Sequence, residues 1–168
     1  MKENMGKIRE VTLEDAKAIA DIYNIYVKDT DITFETEPVS VEEMRERIAT
    51  ISAHNPYLVY EMEGEIAGYC YVHGWKERAA YQYTVETTVY LSPKYFRKGI
   101  GRKLMERLIE ECRTYGFRAL IACITDGNEV SFILHEKLGF KKVSHFEKVG
   151  RKFDRWIDVV DYELLLED

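Results

Sequence analysis

The sequence predicts an α/β (α+β) domain with a mixed central β-sheet flanked by helices. Two observations carry this. Residues 83–91, 102–115 and 119–124 read as strand, helix and strand, a unit whose strands lie parallel through a right-handed crossover. On either side lie segments that read as antiparallel hairpins.

Each element has its own signal. Residues 8–11 form a short apolar run, and Thr12 followed by Asp15 marks a helix start. Ala16, Ile19, Ala20, Tyr23 and Val27 give that helix one apolar stripe. Ser40 with Glu43 is a second capping pair, ahead of Met44, Ile48 and Ile51 at helical spacing. Residues 57–62 and 66–72 flank Glu63-Gly64-Glu65, a hairpin turn. Residues 83–91 are rich in Tyr, Val and Thr, as strands are. Over 104–115, Leu104, Met105, Leu108, Ile109 and Cys112 share one side, and Gly116 ends the helix. Residues 119–124 are almost wholly apolar, which suits a strand buried on both faces. Residues 131–138 read as a helix stopped by Gly139, and residues 142–166 as two strands around a loop at 150–154.

The chain has 168 residues, no internal repeat and no low-complexity linker, so residues 1–168 read as one domain. There are 24 basic and 30 acidic residues, for a net charge of −6. Bulk capture of nucleic acid or an anionic membrane needs a basic excess, so neither partner is expected. No run of about 18 apolar residues offers a membrane span. Cys70, Cys112 and Cys123 have no paired spacing and sit in apolar stretches, which points to structural thiols and the cytoplasm. None of His54, His73, His135 and His145 pairs at a metal-ligand spacing, so no metal is expected.

The turn between the strand ending at Leu91 and the next helix opposes the acidic average. From Ser92 to Met105 there are five basic residues and no acidic one, wrapped round Gly99 and Gly101. Free N–H groups at a helix start carry partial positive charge, and glycines let the backbone turn them toward a ligand. The expected occupant is a phosphate or pyrophosphate. The third glycine of a dinucleotide fingerprint and the Lys-Ser/Thr ending of a P-loop are both absent.

Glu86 is the other conspicuous residue. It shares a strand face with Thr84, Thr88 and Tyr90, opposite Val85, Thr87 and Val89. A carboxylate in the middle of a central strand is costly unless paired or functional. The functional reading is a general base; the bland one is a solvent-facing pleat.

Three groups of residues together resemble a known family. Arg97-Lys98-Gly99-Ile100-Gly101-Arg102 follows a strand, Asn128 opens a later helix, and His135-Glu136-Lys137-Leu138-Gly139-Phe140 closes it. These resemble the GNAT superfamily of N-acetyltransferases. Ile22-Tyr23-Asn24, Thr33-Phe34-Glu35-Thr36-Glu37-Pro38-Val39, Ala80-Tyr81-Gln82-Tyr83-Thr84-Val85-Glu86-Thr87-Thr88-Val89-Tyr90 and Val149-Gly150-Arg151-Lys152-Phe153-Asp154-Arg155-Trp156 narrow the likeness to its phosphinothricin acetyltransferase group.

The resemblance implies a GNAT fold with two parallel strands splayed apart, and acetyl-CoA as donor. It implies a pyrophosphate on Arg97, Lys98, Gly99, Ile100, Gly101 and Arg102. The pantetheine arm would run along Val89, Tyr90 and Leu91, with Asn128 and Ser131 across from it. Phe96 stands where the family's loop usually opens with Arg or Gln. His135 occupies the position where most of the superfamily has Tyr; it could return a proton to the leaving thiolate or share the base role with Glu86. Phe34, Glu35, Arg78, Tyr81 and Tyr83 are acceptor-site candidates, an Arg among aromatics being suited to an amino-acid carboxylate. Lys152, Phe153 and Trp156 fall near the acceptor pocket or the interface of a homodimer, which the group suggests.

The expected activity is acetyl transfer to the amino group of a small amino-acid-like substrate, of the phosphinothricin, methionine sulfone or methionine sulfoximine type. No cysteine is placed as a nucleophile, so direct transfer in a ternary complex is expected. Other amines (a polyamine, an aminoglycoside, a protein N-terminus) and a non-catalytic acyl-CoA sensor are the competing readings.

Overall fold

Parallel pairing in this sheet is confined to its centre, and the rest of the architecture is arranged around that place. The computed structural model describes residues 6–167. Seven strands run β1 (Lys7–Glu10), β2 (Tyr57–Met62), β3 (Glu65–Gly74), β4 (Thr84–Leu91), β5 (Ala119–Thr125), β6 (Lys141–Lys152) and β7 (Arg155–Leu165). Their spatial order is β1-β2-β3-β4-β5-β7-β6. Only β4 and β5 are parallel; every other pair is antiparallel.

The helices are α1 (Ala16–Asp29), α2 (Val41–Ser52), α3 (Ile100–Tyr115) and α4 (Glu129–Lys137). α1 and α2 cover one face of the sheet through Ile19, Ala20, Met44 and Ile48, packed on Tyr57, Val59 and Tyr69. α3 covers the other face, with Leu104, Met105, Leu108 and Cys112 against Cys70, Val72, Val85 and Leu120. Leu104 and Leu108 are wholly buried, and burial of such a side chain is worth about 1.5–3 kcal/mol.

Local chemistry accounts for the helix ends. The Glu43 amide donates to Ser40 Oγ (3.1 Å) at the start of α2. α3 stops at Gly116 in the left-handed conformation. There Gly116 N–H bonds Arg113 O and Phe117 N–H bonds Cys112 O, so two orphan carbonyls are satisfied. Thr12 and Asp15 form the expected capping box, but it opens a short 3₁₀ turn before α1. Asp15 is also held by Arg9 at 2.9 Å on both oxygens, which fixes α1 to β1.

Several boundaries differ from those expected. β4 begins at Thr84, because the Tyr83 carbonyl turns away to accept the Arg118 and Ala119 amides. α3 begins at Ile100, earlier than Arg102, since Gly99 is its N-cap. α4 begins at Glu129, capped by Asn128. β6 runs through Lys152, and the hairpin turn is confined to Phe153 and Asp154, both with positive φ.

Gly68 on β3 sits opposite Leu91, the last residue of β4. A Cβ there would lie 2.4 Å from Leu91 Cδ2 and 2.9 Å from the Tyr90 carbonyl. The side chain could shift, but the backbone carbonyl belongs to the strand. Gly68→Ala is therefore expected to destabilise the fold by about 1–3 kcal/mol. Thermal unfolding should show a Tm lower by roughly 2–4 °C for each kcal/mol.

Candidate active site

β4 and β5 pair at only three positions: Thr84 with Ala119, Val85 with Leu120, and Glu86 with Ile121. Beyond Glu86 the two strands diverge. α1 and the chain just after it bond to the two diverging ends. Tyr26 Oη, within α1, donates to the Leu91 carbonyl. Thr125 Oγ1, at the end of β5, donates to the Asp31 carbonyl at 2.8 Å. A groove opens between the strands, lined by Thr87, Val89 and Tyr90 on one side and by Cys123 and Ile124 on the other. Asn128, Ser131 and His135 reach it from α4.

His135 is buried at 3% exposure, where a surface position on the helix was the bland reading. Its Nδ1 lies 2.7 Å from the Ser131 carbonyl, so the proton sits on Nδ1 and Nε2 keeps its lone pair. Ser131 Oγ lies 3.3 Å from the same Nδ1. Phe140 meets the ring edge-on at 5.0 Å. Burial holds the imidazole below its ordinary pKa, against the opposing pull of the Ser131 carbonyl. The ring is therefore neutral near pH 7 and can accept a proton. Ser131, expected to face the pantetheine arm, also fixes this ring.

Glu86 occupies the last paired position of β4, where the two strands begin to part. Its Oε2 lies 2.6 Å from His73 Nε2 on β3, directly across the antiparallel register. The Glu86 contact raises the His73 pKa. Sequence reasoning weighed His73 only as a metal ligand and missed this pair. The signal was available in the β3–β4 register, which sets residues 73 and 86 side by side.

Asn128 uses Oδ1 to cap α4, accepting from the Ser131 amide (3.4 Å). Its amide nitrogen has no protein partner among the described residues.

The basic turn has the shape of an anion nest. Arg97 and Gly99 both adopt positive φ (64° and 75°), which turns successive N–H groups to one side. Of the five cations, Lys94 is paired with Glu65 (2.9 Å) and Arg102 with Glu106 (2.8 Å). Arg97, Lys98 and Lys103 are exposed and make no ion pair among the described residues. Gly99 has open space where a Cβ would lie. Ile100 and Gly101 are buried beneath the turn, so they contribute backbone and support. Phe96 is half exposed at its rim.

The acceptor candidates fall into two groups with different neighbours. The Phe34 ring lies over Gly150, where a Cβ would come within 2.3 Å of it. The Glu35 carboxylate is taken up by Arg47 at 2.6 and 3.0 Å and by Tyr23 Oη. Arg47 holds it below the usual carboxylate range. In the other group, Arg78 caps the short turn Ala79–Tyr81. Tyr81 meets Trp75 edge-on at 5.4 Å, and Lys76 lies 4.3 Å over the Trp75 ring. Tyr83 is more than half exposed. Trp75, Lys76 and Arg47 were not singled out from sequence; only the fold brings them to these positions.

Cys70 and Cys112 are buried, as their apolar surroundings suggested, but Cys123 is exposed in the groove. Spacing also missed a possible cation group: Asp126, His145 and Asp158 offer ligand atoms within 4.8 Å of one another. Both Asp158 oxygens already have partners there, His145 Nε2 and the Lys148 amide, each at 2.8 Å. No helix among the described residues is long and apolar enough to cross a membrane.

The sequence model of the family described as "Acetyltransferase (GNAT) domain" matches residues 8–160. The chain belongs to the GNAT N-acetyltransferases. It is 40% identical over 155 residues to a phosphinothricin N-acetyltransferase of Alcaligenes faecalis, covering 91% of this chain and 79% of that protein. It is 36% identical over 165 residues to an L-methionine sulfoximine/L-methionine sulfone acetyltransferase of Salmonella typhimurium, covering 96% and 95%. A phosphinothricin acetyltransferase from Sinorhizobium meliloti, solved with acetyl-CoA, superposes with a TM-score of 0.93 at 35% identity, covering 96% of this chain and 88% of that one. The splayed strands and helices are thus those of a GNAT acetyltransferase, and the enzyme class is an N-acetyltransferase.

Cys123 allows a direct check on covalent catalysis. Partial loss of water around its sulfur against the groove wall, with Asp161 and Glu86 nearby, pushes the thiol up to about 12. Roughly one thiol in 10⁴ is then ionised at pH 8, against about a quarter for an ordinary cysteine. Iodoacetamide at pH 8 should alkylate Cys123 far more slowly than a free cysteine, as intact-mass spectrometry would show. Rapid labelling would restore it as a candidate nucleophile.

Proposed function

We propose that this enzyme transfers acetyl from acetyl-CoA directly to the amino group of a small amino-acid-like acceptor. Phosphinothricin, methionine sulfone and methionine sulfoximine are the compounds to try first. The observation that carries the reading is a neutral, buried imidazole lining the groove between the splayed strands, with a carboxylate at the position where those strands begin to part.

The residues present fit acetyl-CoA. The turn at 97–101 offers a nest of N–H groups, two unpaired cations and open space over Gly99, which suits a pyrophosphate. The facing edges of β4 and β5 beyond Glu86 do not pair with each other, so their polar groups are available to a polar, extended arm. We assign Arg97, Lys98, Gly99, Ile100, Gly101 and Arg102 to the pyrophosphate. Val89, Tyr90, Leu91, Asn128 and Ser131 are assigned to the arm. When bound, acetyl-CoA supplies an acetyl group activated as a thioester.

The protein's own part is to manage protons and orient the amine. An amine attacks only when neutral, and an α-amino group with pKa near ~8 is about one-tenth neutral at pH 7. Removal of that proton by a positioned base is worth roughly 10²–10⁴ in rate. Glu86 is assigned as the base that takes it. His135, neutral with Nε2 unprotonated, takes the second proton, which the nitrogen sheds as its bond to the acetyl carbon forms, and passes it to the departing thiolate. Arg78 is assigned to the acceptor's carboxylate, with Tyr81 and Tyr83 beside it. Phe34 and Glu35 close the other side, Glu35 acting through Arg47.

We further propose that the protein works in the cytoplasm and as a homodimer, with no metal. Its free cysteines suit a reducing compartment. β6 is an edge strand, and Val143, Phe146, Val149, Phe153 and Trp156 on β6, β7 and their turn are each more than half exposed. Such an edge is normally blunted or covered, and a second copy is the occupant that the family resemblance favours.

Thiol release from acetyl-CoA over a panel of amino acids and amino-acid analogues tests the activity; no release on any amine would favour the sensor reading. Glu86→Gln and His135→Ala should each lower kcat by about 10²-fold or more. Because burial lowers the His135 pKa, its basic form persists below the ordinary value of about 6.5. The acid limb of kcat should accordingly lie below pH 6.5 in the wild type. For the dimer, Phe146→Asp with Val149→Asp should halve the mass seen by light scattering.

A further inference from the structure

Glu86 has a dedicated partner that the reaction as derived does not use. His73 and Glu86 occupy paired positions on β3 and β4, and Nε2 lies 2.6 Å from Oε2. The far nitrogen, Nδ1, lies 2.9 Å from the Gly74 carbonyl. A carbonyl can only accept, so Nδ1 carries a proton. The 2.6 Å contact of Nε2 with the carboxylate oxygen is an ion pair when the ring carries its second proton, the state that the carboxylate favours. The ring is thus tied at both ends, and Oε1 of Glu86 is left without a protein partner among the described residues.

We propose that His73 is a positioning residue for Glu86: it holds one carboxylate oxygen in place and leaves the other to take the acceptor's proton. This rests on the reading of Glu86 as the base. Without His73, the carboxylate could rotate about its side chain and lose its aim at the groove, and geometry at this scale controls proton transfer. The half-exposed ring also gives the pair contact with solvent, where the proton released in each transfer must go.

The other titratable groups facing the pair are few. Tyr71 on β3 lies beside His73, with ring centroids 6.1 Å apart. Cys123 lies near Glu86 on β5, and Asp161 on β7 adjoins Cys123. Loss of surrounding water raises both the Tyr71 phenol and the Cys123 thiol, so neither changes charge between pH 6 and 9. The hydrogen bond to Glu86 raises His73, whereas burial lowers His135. The two histidines therefore act on opposite limbs of a pH profile. His73 keeps its charge as pH rises past the ordinary value and loses it only above, where the hold on Glu86 weakens.

The test combines a titration with kinetics. In the ligand-free protein, the ring C–H signals of His73 should titrate above pH 6.5 by NMR and fall back toward it in Glu86→Gln. His73→Leu should lower kcat about ten-fold, the loss of one hydrogen bond to a charged group, with KM for acetyl-CoA within two-fold. His73→Gln keeps a donor without a titrating charge. It should restore most of kcat at pH 7 while abolishing the fall at high pH. Wild-type kcat and pH profile in His73→Leu, alongside a slowed Glu86→Gln, would overturn the inference alone. An unchanged kcat in Glu86→Gln would overturn the base reading instead. A His73 titration that ignores Glu86→Gln would show that the pair does not form.

Discussion

Everything in the groove depends on β4 and β5 parting after three paired residues. Parallel strands of seven and eight residues would ordinarily pair along their length, because a buried backbone group without a partner is costly. Here α1 and the turn after it supply anchors for the two ends. Tyr26 takes the Leu91 carbonyl, while Thr125 reaches the Asp31 carbonyl. Tyr26 is fixed in turn by Tyr90, whose ring lies 4.9 Å away, and Tyr90 packs on Tyr69 and Tyr23. The tyrosines between sheet and helices thus serve as a scaffold for the opening.

Charge is arranged to complement that opening. The acidic surplus is largely spent on neighbouring cations: Arg47 with Glu35 and Glu43, Arg9 with Asp15 and Glu61, Arg102 with Glu106. Exposed pairs of this kind add little stability. At the turn, Arg97, Lys98 and Lys103 remain without an ion pair among the described residues, beside the N-terminus of α3. The field there remains positive although the protein carries a net charge of −6. A small anion meets a local site, and a long polyanion meets a repelling surface.

The two histidines near the groove show how environment divides one side-chain type between opposite roles. His135 is sealed between Phe140 and Tyr162, with its Nδ1 on a carbonyl, and stays neutral. His73 lies at the rim against a carboxylate, which raises its pKa. Burial without a counter-charge favours the neutral ring, and a carboxylate contact favours the cation.

The order of elements, the βαβ crossover, the glycine-bounded α3 and the basic turn were all readable because each rests on local chemistry: side-chain period, capping residues and charge along a few residues. The family resemblance added Asn128, His135 and the acceptor segments. What the sequence could not supply were contacts between residues far apart in the chain. Arg47 takes hold of Glu35, Phe34 fills the space that Gly150 leaves, and Cys123 is exposed because the strand beside it has moved away. The sequence by itself determined which groups this protein owns and the elements that carry them. Only the tertiary structure decided which of them share a proton, a charge or a wall of the groove, because strand register and the splay are set by packing across the whole sheet.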